Sequence, residues 1–246
     1  MRVRYHAACR AGAWIAAGLL VLASLPEASA QEESNASWWK RTGIDAYGFL
    51  DARAGLRVDE DPYAEDTSLA EARLQLEMSR IGNHSTFQLR VDGVYDEVAD
   101  EDDVDLEEGR GPLDLREAYV LLYPSRMADV KIGRQILTWG TGDLLFINDL
   151  FPKDWQSFFS GRDEEYLKAP SDAVFVGLFP GWANIGVVYT PRFDADRYIR
   201  GERLSYWNPT LGRLAGEDAV VRAERPDDWF DDDEIAARVF RNVGGY

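Results

Sequence analysis

The stretch Gly43-Ile44-Asp45-Ala46-Tyr47-Gly48-Phe49-Leu50-Asp51-Ala52-Arg53-Ala54-Gly55-Leu56-Arg57-Val58 alternates without a break. Ile44, Ala46, Gly48, Leu50, Ala52, Ala54, Leu56 and Val58 fall on one side. Asp45, Tyr47, Phe49, Asp51, Arg53 and Arg57 fall on the other. Side chains of a strand point to opposite faces with period two, so this segment divides an oily environment from a wet one. It is longer than most globular strands, and long enough for the roughly 9–11 residues that a tilted strand needs to cross a bilayer.

The same pattern recurs downstream. Ala70–Ser79 sets Ala72, Leu74, Leu76 and Met78 against Glu71, Arg73, Gln75 and Glu77, and ends at the tight turn Gly82-Asn83-His84. Thr86–Tyr95 sets Phe87, Leu89, Val91, Gly93 and Tyr95 against Gln88, Arg90 and Asp92, and leads into the acidic stretch Asp96–Asp114. Further strands are expected at Leu115–Tyr123, closed by Pro124-Ser125-Arg126, and at Asp129–Leu137, followed by a long loop Thr138–Asp172. Ala173–Phe179 and Asn184–Thr190 make a hairpin across Pro180-Gly181-Trp182. A very long connection, Pro191–Asp233, precedes a last strand at Glu234–Asn242.

Three of these segments, Leu69–Arg80, Leu115–Tyr123 and Asp233–Asn242, carry enough Ala, Glu, Leu and Arg to serve as amphipathic helices. The unambiguous alternation on either side of the first makes a meander the consistent reading. For Leu115–Tyr123 the pattern leaves open which side faces which. Long and short connections alternate, as in outer-membrane barrels, and every proline after residue 30 falls in a proposed turn or loop, where no ladder donor is needed. A soluble β-sandwich has no reason to sort its loops by end.

The N-terminus says where such a sheet is used. Arg2, Arg4 and Arg10 precede the apolar run Ala11–Leu25, and Ala28-Ser29-Ala30 offers small residues before Gln31. That is the pattern of a secretory signal peptide cleaved near Ala30, and the apolar run falls short of the roughly 20 residues of a membrane-spanning helix. Residues 31–42 then form a periplasmic segment ahead of a β-region over 43–246. The one cysteine, Cys9, leaves with the leader, so no disulfide, thiolate nucleophile or cysteine metal ligand is expected. The net charge of −17 grows more negative when three arginines and one glutamate depart with residues 1–30, which disfavours nucleic acid as a partner.

Lys131-Ile132-Gly133-Arg134-Gln135, then Trp139-Gly140, Gly142-Asp143, Asn148-Asp149, Pro152 and Asp154, resembles a block found in porin-like outer-membrane proteins grouped loosely with the alginate-export barrels. The resemblance covers roughly Asp114–Pro209. It implies an all-β, antiparallel transmembrane barrel, monomeric, with a lumen for small-molecule solutes, in the outer membrane of a Gram-negative bacterium. It does not imply alginate as the substrate. Such a barrel would meet lipid and lipopolysaccharide and would be inserted by the barrel-assembly machinery. Barrels of the family are longer than this chain, and Arg238, Asn242 and Gly244 make a poor final strand before Tyr246. The chain is therefore expected to be the N-terminal part of a larger barrel, the alternative being a barrel of about eight strands filled by side chains.

On this reading Asp45, Asp51, Arg53, Arg57, Arg73, Glu77, Arg90, Asp92, Lys131 and Arg238 line the lumen, because a charge at the lipid midplane costs about 2–4 kcal/mol for Arg or Lys. They either set up a hydrated path with a transverse field or pair with one another as filling. Arg134 falls on the lipid side by strict alternation, and a bulge at Gly133 would return it to the lumen; otherwise it snorkels at the interface. The loop Thr138–Asp172 is the candidate constriction. Its aromatics Trp139, Phe146, Phe151, Trp155, Phe158, Phe159 and Tyr166 are too many for a free loop. Asp149, Asp154, Asp163 and Glu164 would flank the path with Glu165, Arg162 and Lys168.

The acidic runs at 100–105 and 227–233 lack the glycine and glutamate spacing of a calcium loop, so no metal or cofactor is expected. A Ser-His-Asp enzyme would have to use His84, the one histidine after residue 30, in a tight turn at the wrong end of a barrel. The competing class is a secreted, soluble β-rich carbohydrate-active enzyme or glycan-binding module, with paired carboxylates beside Trp155, Trp207 and Trp229.

Overall fold

A computed structural model describes residues 43–99, 103–139, 149–222, 224–226 and 228–241. The leader, the 31–42 segment, Phe146, Gly140, Gly142-Asp143, Asn148 and the terminal Asn242–Tyr246 lie outside them. The chain folds into one antiparallel sheet of eight strands. They are β1 (Asp45–Leu56), β2 (Thr67–Ile81), β3 (Ser85–Asp96), β4 (Leu113–Ser125), β5 (Ala128–Gln135), β6 (Ser171–Leu178), β7 (Asn184–Thr190) and, after a two-stranded hairpin of β8 (Tyr206–Asn208) and β9 (Arg213–Ala215), β10 (Glu234–Phe240). The order across the sheet is β1-β2-β3-β4-β5-β6-β7-β10, a meander in which each strand pairs with its predecessor in the sheet. β1 and β10 are its two edges, and the sheet is not closed on itself.

All eight expected strands are present, including the three whose composition also suits helices. Register explains the choice: Ala52 faces Ala72 and Leu74 faces Gly93, so a helical period would tear apart the neighbouring ladders. The connections sort by end. Residues 82–84, 126–127 and 179–183 turn tightly at one rim, while 57–66, 97–112, 136–170 and 191–233 make long excursions at the other.

Burial is inverted relative to a water-soluble fold. Leu50, Leu74 and Ile235 are 61%, 59% and 76% exposed, whereas Arg73 and Asp92 on the opposite face are 2% and 0% exposed. Among the described residues, fifteen polar or charged side chains are buried against nine hydrophobic ones. A small apolar cluster of Leu137, Ala173 and Val188, with Trp139, Leu150 and Phe175 against it, packs beside β5–β7.

Three local expectations are corrected. The acidic stretch ends earlier than read, because Leu113 and Asp114 already belong to β4. Pro124 lies within β4 instead of in the turn, tolerated at a register break between Leu122 and Ser125. In β4 the register also shifts by one residue between the partners of Arg90 and Val91, which are Glu117 and Leu115. The extra residue, Arg116, lets Arg116 and Glu117 both turn to the wet face, which is why the sequence alternation failed there.

Candidate functional site

The wet face carries a connected ionic network. Arg73 Nη1 donates to Asp92 Oδ2 at 2.8 Å and lies 3.6 Å from Asp114 Oδ2, and its Nε lies 3.5 Å from Glu71 Oε1. Arg116 approaches the same Asp114 at 3.7 Å. Alternation on β2, β3 and β4 supplies all of these, and the register break in β4 adds Glu117 to the same face.

The long β5–β6 connection folds down onto this network. Asp154 caps the short helix α1 (Trp155–Phe159), accepting from Ser157 N at 2.8 Å, while its other oxygen takes Arg197 at 3.3 Å. Arg162 pairs with Glu71 and donates to Ser157 Oγ at 3.0 Å. The Tyr166 hydroxyl donates to Asp92 Oδ2 and accepts from Gln75 Nε2, both at 2.8 Å. The Arg73 and Arg116 guanidiniums lie 4.8 and 5.0 Å from its ring centroid, where the negative π-face attracts a cation. Arg116 also donates to the carbonyls of Glu165 and Lys168, at 3.0 and 2.6 Å. Burial, and then the charge of Asp92, push the Tyr166 hydroxyl above the usual tyrosine range, so it remains a donor.

Arg197 completes the network from the β7–β10 connection. It bridges Asp114 and Asp154, each at 3.3 Å, and donates to the carbonyls of Leu106 and Glu107. Gly109, at φ +62, passes so close that an added Cβ would meet its guanidinium at 2.1 Å. Burial acts to lower the Arg197 pKa, but the carboxylates of Asp114 and Asp154 outweigh it and hold the group charged.

At the margin of the segment lies a half-buried tier. Arg90 bonds Glu77 at 3.1 Å, with Glu117 at 3.7 Å and Glu165 at 3.5 Å. Gln88 also donates to Glu77, and Lys131 sits 4.0 Å from the Tyr119 ring centroid.

The expected lining residues therefore separate into groups. Arg73 and Asp92 are locked together as an ion pair in the buried network. Glu77, Arg90 and Lys131 form the accessible tier. Asp51 and Arg53 pair with each other at 2.6 Å, and Asp45 is exposed on the open edge. Arg57 lies past the end of β1 and donates to the carbonyls of Glu65 and Arg203, tying loops together instead of lining the sheet. Arg238 donates to the Trp139 carbonyl and lies over Phe240.

Arg134 corrects the expectation of a bulge. The ladders through Gly133 are continuous, with Tyr119 and Ala173 as its partners, and Gly133 instead adopts φ +122. Arg134 lines no open path; it is buried beneath the long loops, donating to the carbonyls of Leu115 and Leu106 and to Asp172. In the candidate constriction, Asp149 accepts from Trp139 N at 2.9 Å, the Trp155 indole donates to Asp196, and Asp163 and Glu164 are exposed.

Sequence reasoning passed over Glu71, Gln75, Asp114, Arg116 and Arg197 as site residues. Glu71 and Gln75 were visible in the alternation of β2. Arg197 had no signal, since nothing in a connection of that length marks one arginine as inward. No protein-family model and no curated protein matches the chain.

Proposed function

We propose that this sheet is the wall of an outer-membrane β-barrel of porin-like type, through which small solutes pass along a mixed-charge lumen narrowed by the 136–170 segment. The observation that carries this reading is the inverted burial. Among the described residues, leucines and valines face outward uncovered and arginine–carboxylate pairs are sequestered on the other face, which suits a wall between lipid and a polar interior. The sorting of tight turns to one rim and long connections to the other supports the same reading, and the resemblance around Lys131–Asp154 accords with it.

An eight-stranded barrel has an interior just wide enough for side chains. The inner face also accommodates a chain segment with its own helix, which favours a barrel wider than eight strands, with these eight as part of its wall. A soluble carbohydrate-active enzyme or glycan-binding module would leave the outer leucines in water and earns no specific support.

The test is to refold the chain into lipid bilayers and record single-channel currents. Discrete steps whose ion selectivity shifts toward cations in Arg90→Glu support a pore lined by that tier. Refolding of the chain to a monodisperse, folded state in water without lipid or detergent would return the soluble reading to first place.

A further inference from the structure

Toward the tight-turn rim the inner face changes character. The first half of β4 turns Asp114, Arg116 and Glu117 inward, but its second half presents Tyr119, Leu121 and Tyr123 at alternate positions. The Tyr123 hydroxyl lies 3.1 Å from Thr86 Oγ1, and Thr86 pairs with Leu121, so the three share the inner face. Lys131 of β5 stands directly opposite Leu121, and Phe175 of β6 directly opposite Lys131. Residues so paired lie side by side on one face, with Cβ atoms about 4.5–5.5 Å apart. The result is an apolar, aromatic strip with a single ammonium set into it.

That ammonium differs from the other cations of the sheet's inner face. Arg73, Arg116 and Arg90 each hold a carboxylate. Lys131 is half-buried with its Nζ 4.0 Å from the Tyr119 ring centroid, and among the described residues no carboxylate pairs with it. Glu117, on the adjacent strand, is engaged by Arg90 at 3.7 Å. Asp129, the next inward residue of β5, leans over Gly177 of β6. A ring face attracts a cation but accepts none of the three N–H bonds an ammonium offers. The strip therefore presents apolar surface and an uncompensated positive charge together, the combination of a small-molecule site.

We propose that this strip binds small aromatic carboxylates, with Lys131 taking the acid and Tyr119, Leu121, Tyr123 and Phe175 taking the ring. The assignment rests on the reading of the charged face as a lumen, and names the class of solute that pauses there. A carboxylate conjugated to a ring lies in the ring's plane, so a flat molecule lying along the strip reaches the ammonium while its ring meets aromatic side chains offset or edge-on. An acidic sugar fits poorly, because Leu121 and Phe175 offer its hydroxyls neither donor nor acceptor. The chain's net charge of −17 opposes an anion only weakly here, since charges farther off than about 8 Å are screened at physiological salt. The ammonium in contact with the solute dominates.

Equilibrium binding to the folded whole chain in detergent micelles tests this, read by ligand-observed NMR with protein-free micelles as the blank. The probes are benzoate, acetate, which has the acid without the ring, and benzamide, which has the ring without the charge. Benzoate should bind about tenfold more tightly than either. Lys131→Met keeps an unbranched stem beside Tyr119 and should bring benzoate down to the level of benzamide, with benzamide itself unchanged. Lys131→Arg restores a cation and should keep the preference for benzoate. Benzoate binding no tighter than acetate, or binding unchanged in Lys131→Met, would overturn the site. Because no current is read, the two proposals fail separately: a chain that conducts without preferring benzoate sinks the site alone, and one that binds benzoate through Lys131 without conducting sinks the pore alone.

Discussion

Replacing Tyr166 by Phe removes one oxygen and leaves the ring where Arg73 and Arg116 face it. The lost hydroxyl donates to a buried carboxylate, Asp92, and accepts from a buried amide, Gln75. A hydrogen bond to a charged partner contributes about 1.5–3 kcal/mol, and the stranded Gln75 donor adds a share of its own desolvation cost. About 2–3 kcal/mol of docking energy is thus withdrawn from the 136–170 segment, which raises its open population about 30- to 150-fold at 1.36 kcal/mol per tenfold. Because Arg162 is largely buried against Glu71, trypsin reaches it only from the open form, and cleavage follows that population. Limited trypsinolysis of the folded chain should therefore cut after Arg162 faster in Tyr166→Phe by that factor, while the β-sheet resists. Cleavage within about threefold of wild type would show that the hydroxyl does not hold the segment down, and would refute the assignment of Tyr166 as its anchor.

Leu74→Arg places a cation on the exposed apolar face; if that face meets lipid, refolding into vesicles should lose about 2–4 kcal/mol, whereas a water-facing leucine would accept the change almost without cost. Arg197→Met leaves Asp114 and Asp154 buried without their shared cation, and chemical denaturation should register a loss of about 3–5 kcal/mol; a change under about 1 kcal/mol would mean the bridge is not formed. Gly133→Ala forces a Cβ to 2.3 Å from the Ala118 carbonyl at a φ of +122, so the thermal unfolding midpoint should drop clearly, and an unchanged midpoint would contradict the backbone described at that position.

The meander was legible because one face of each strand obeys a single rule. Outward positions such as Leu50, Leu74, Phe87 and Ile132 must all be apolar, so their period survives even where composition favours helix. Inward positions obey no such rule, as they accept any polar group that finds a partner, and the partner is set by tertiary structure. Arg116 hid for a second reason: an inserted residue puts it beside Glu117 on one face, and a period-two reading cannot represent that. The aromatic load of the β5–β6 connection announced that it packs. Which aromatic anchors it depended on Asp92 and Gln75, far away in sequence. The hairpin β8–β9 went unread inside the 191–233 connection because three-residue strands leave too few alternations to detect.

The members of the buried network also impose an order of events on folding. Tyr166 reaches Asp92 across 74 residues, Arg197 reaches Asp114 across 83, and Arg162 reaches Glu71 across 91. The sheet, by contrast, grows by neighbour-to-neighbour hairpins, each of which closes a short loop. Because distant contacts come at a large entropic cost until their framework exists, strands β2 to β4 assemble first with their arginines and carboxylates still hydrated. The descending segment and Arg197 dock afterwards, expelling that water in a final step. Contacts formed so late are absent from the folding transition state, so weakening them speeds unfolding and leaves the rate of assembly nearly untouched.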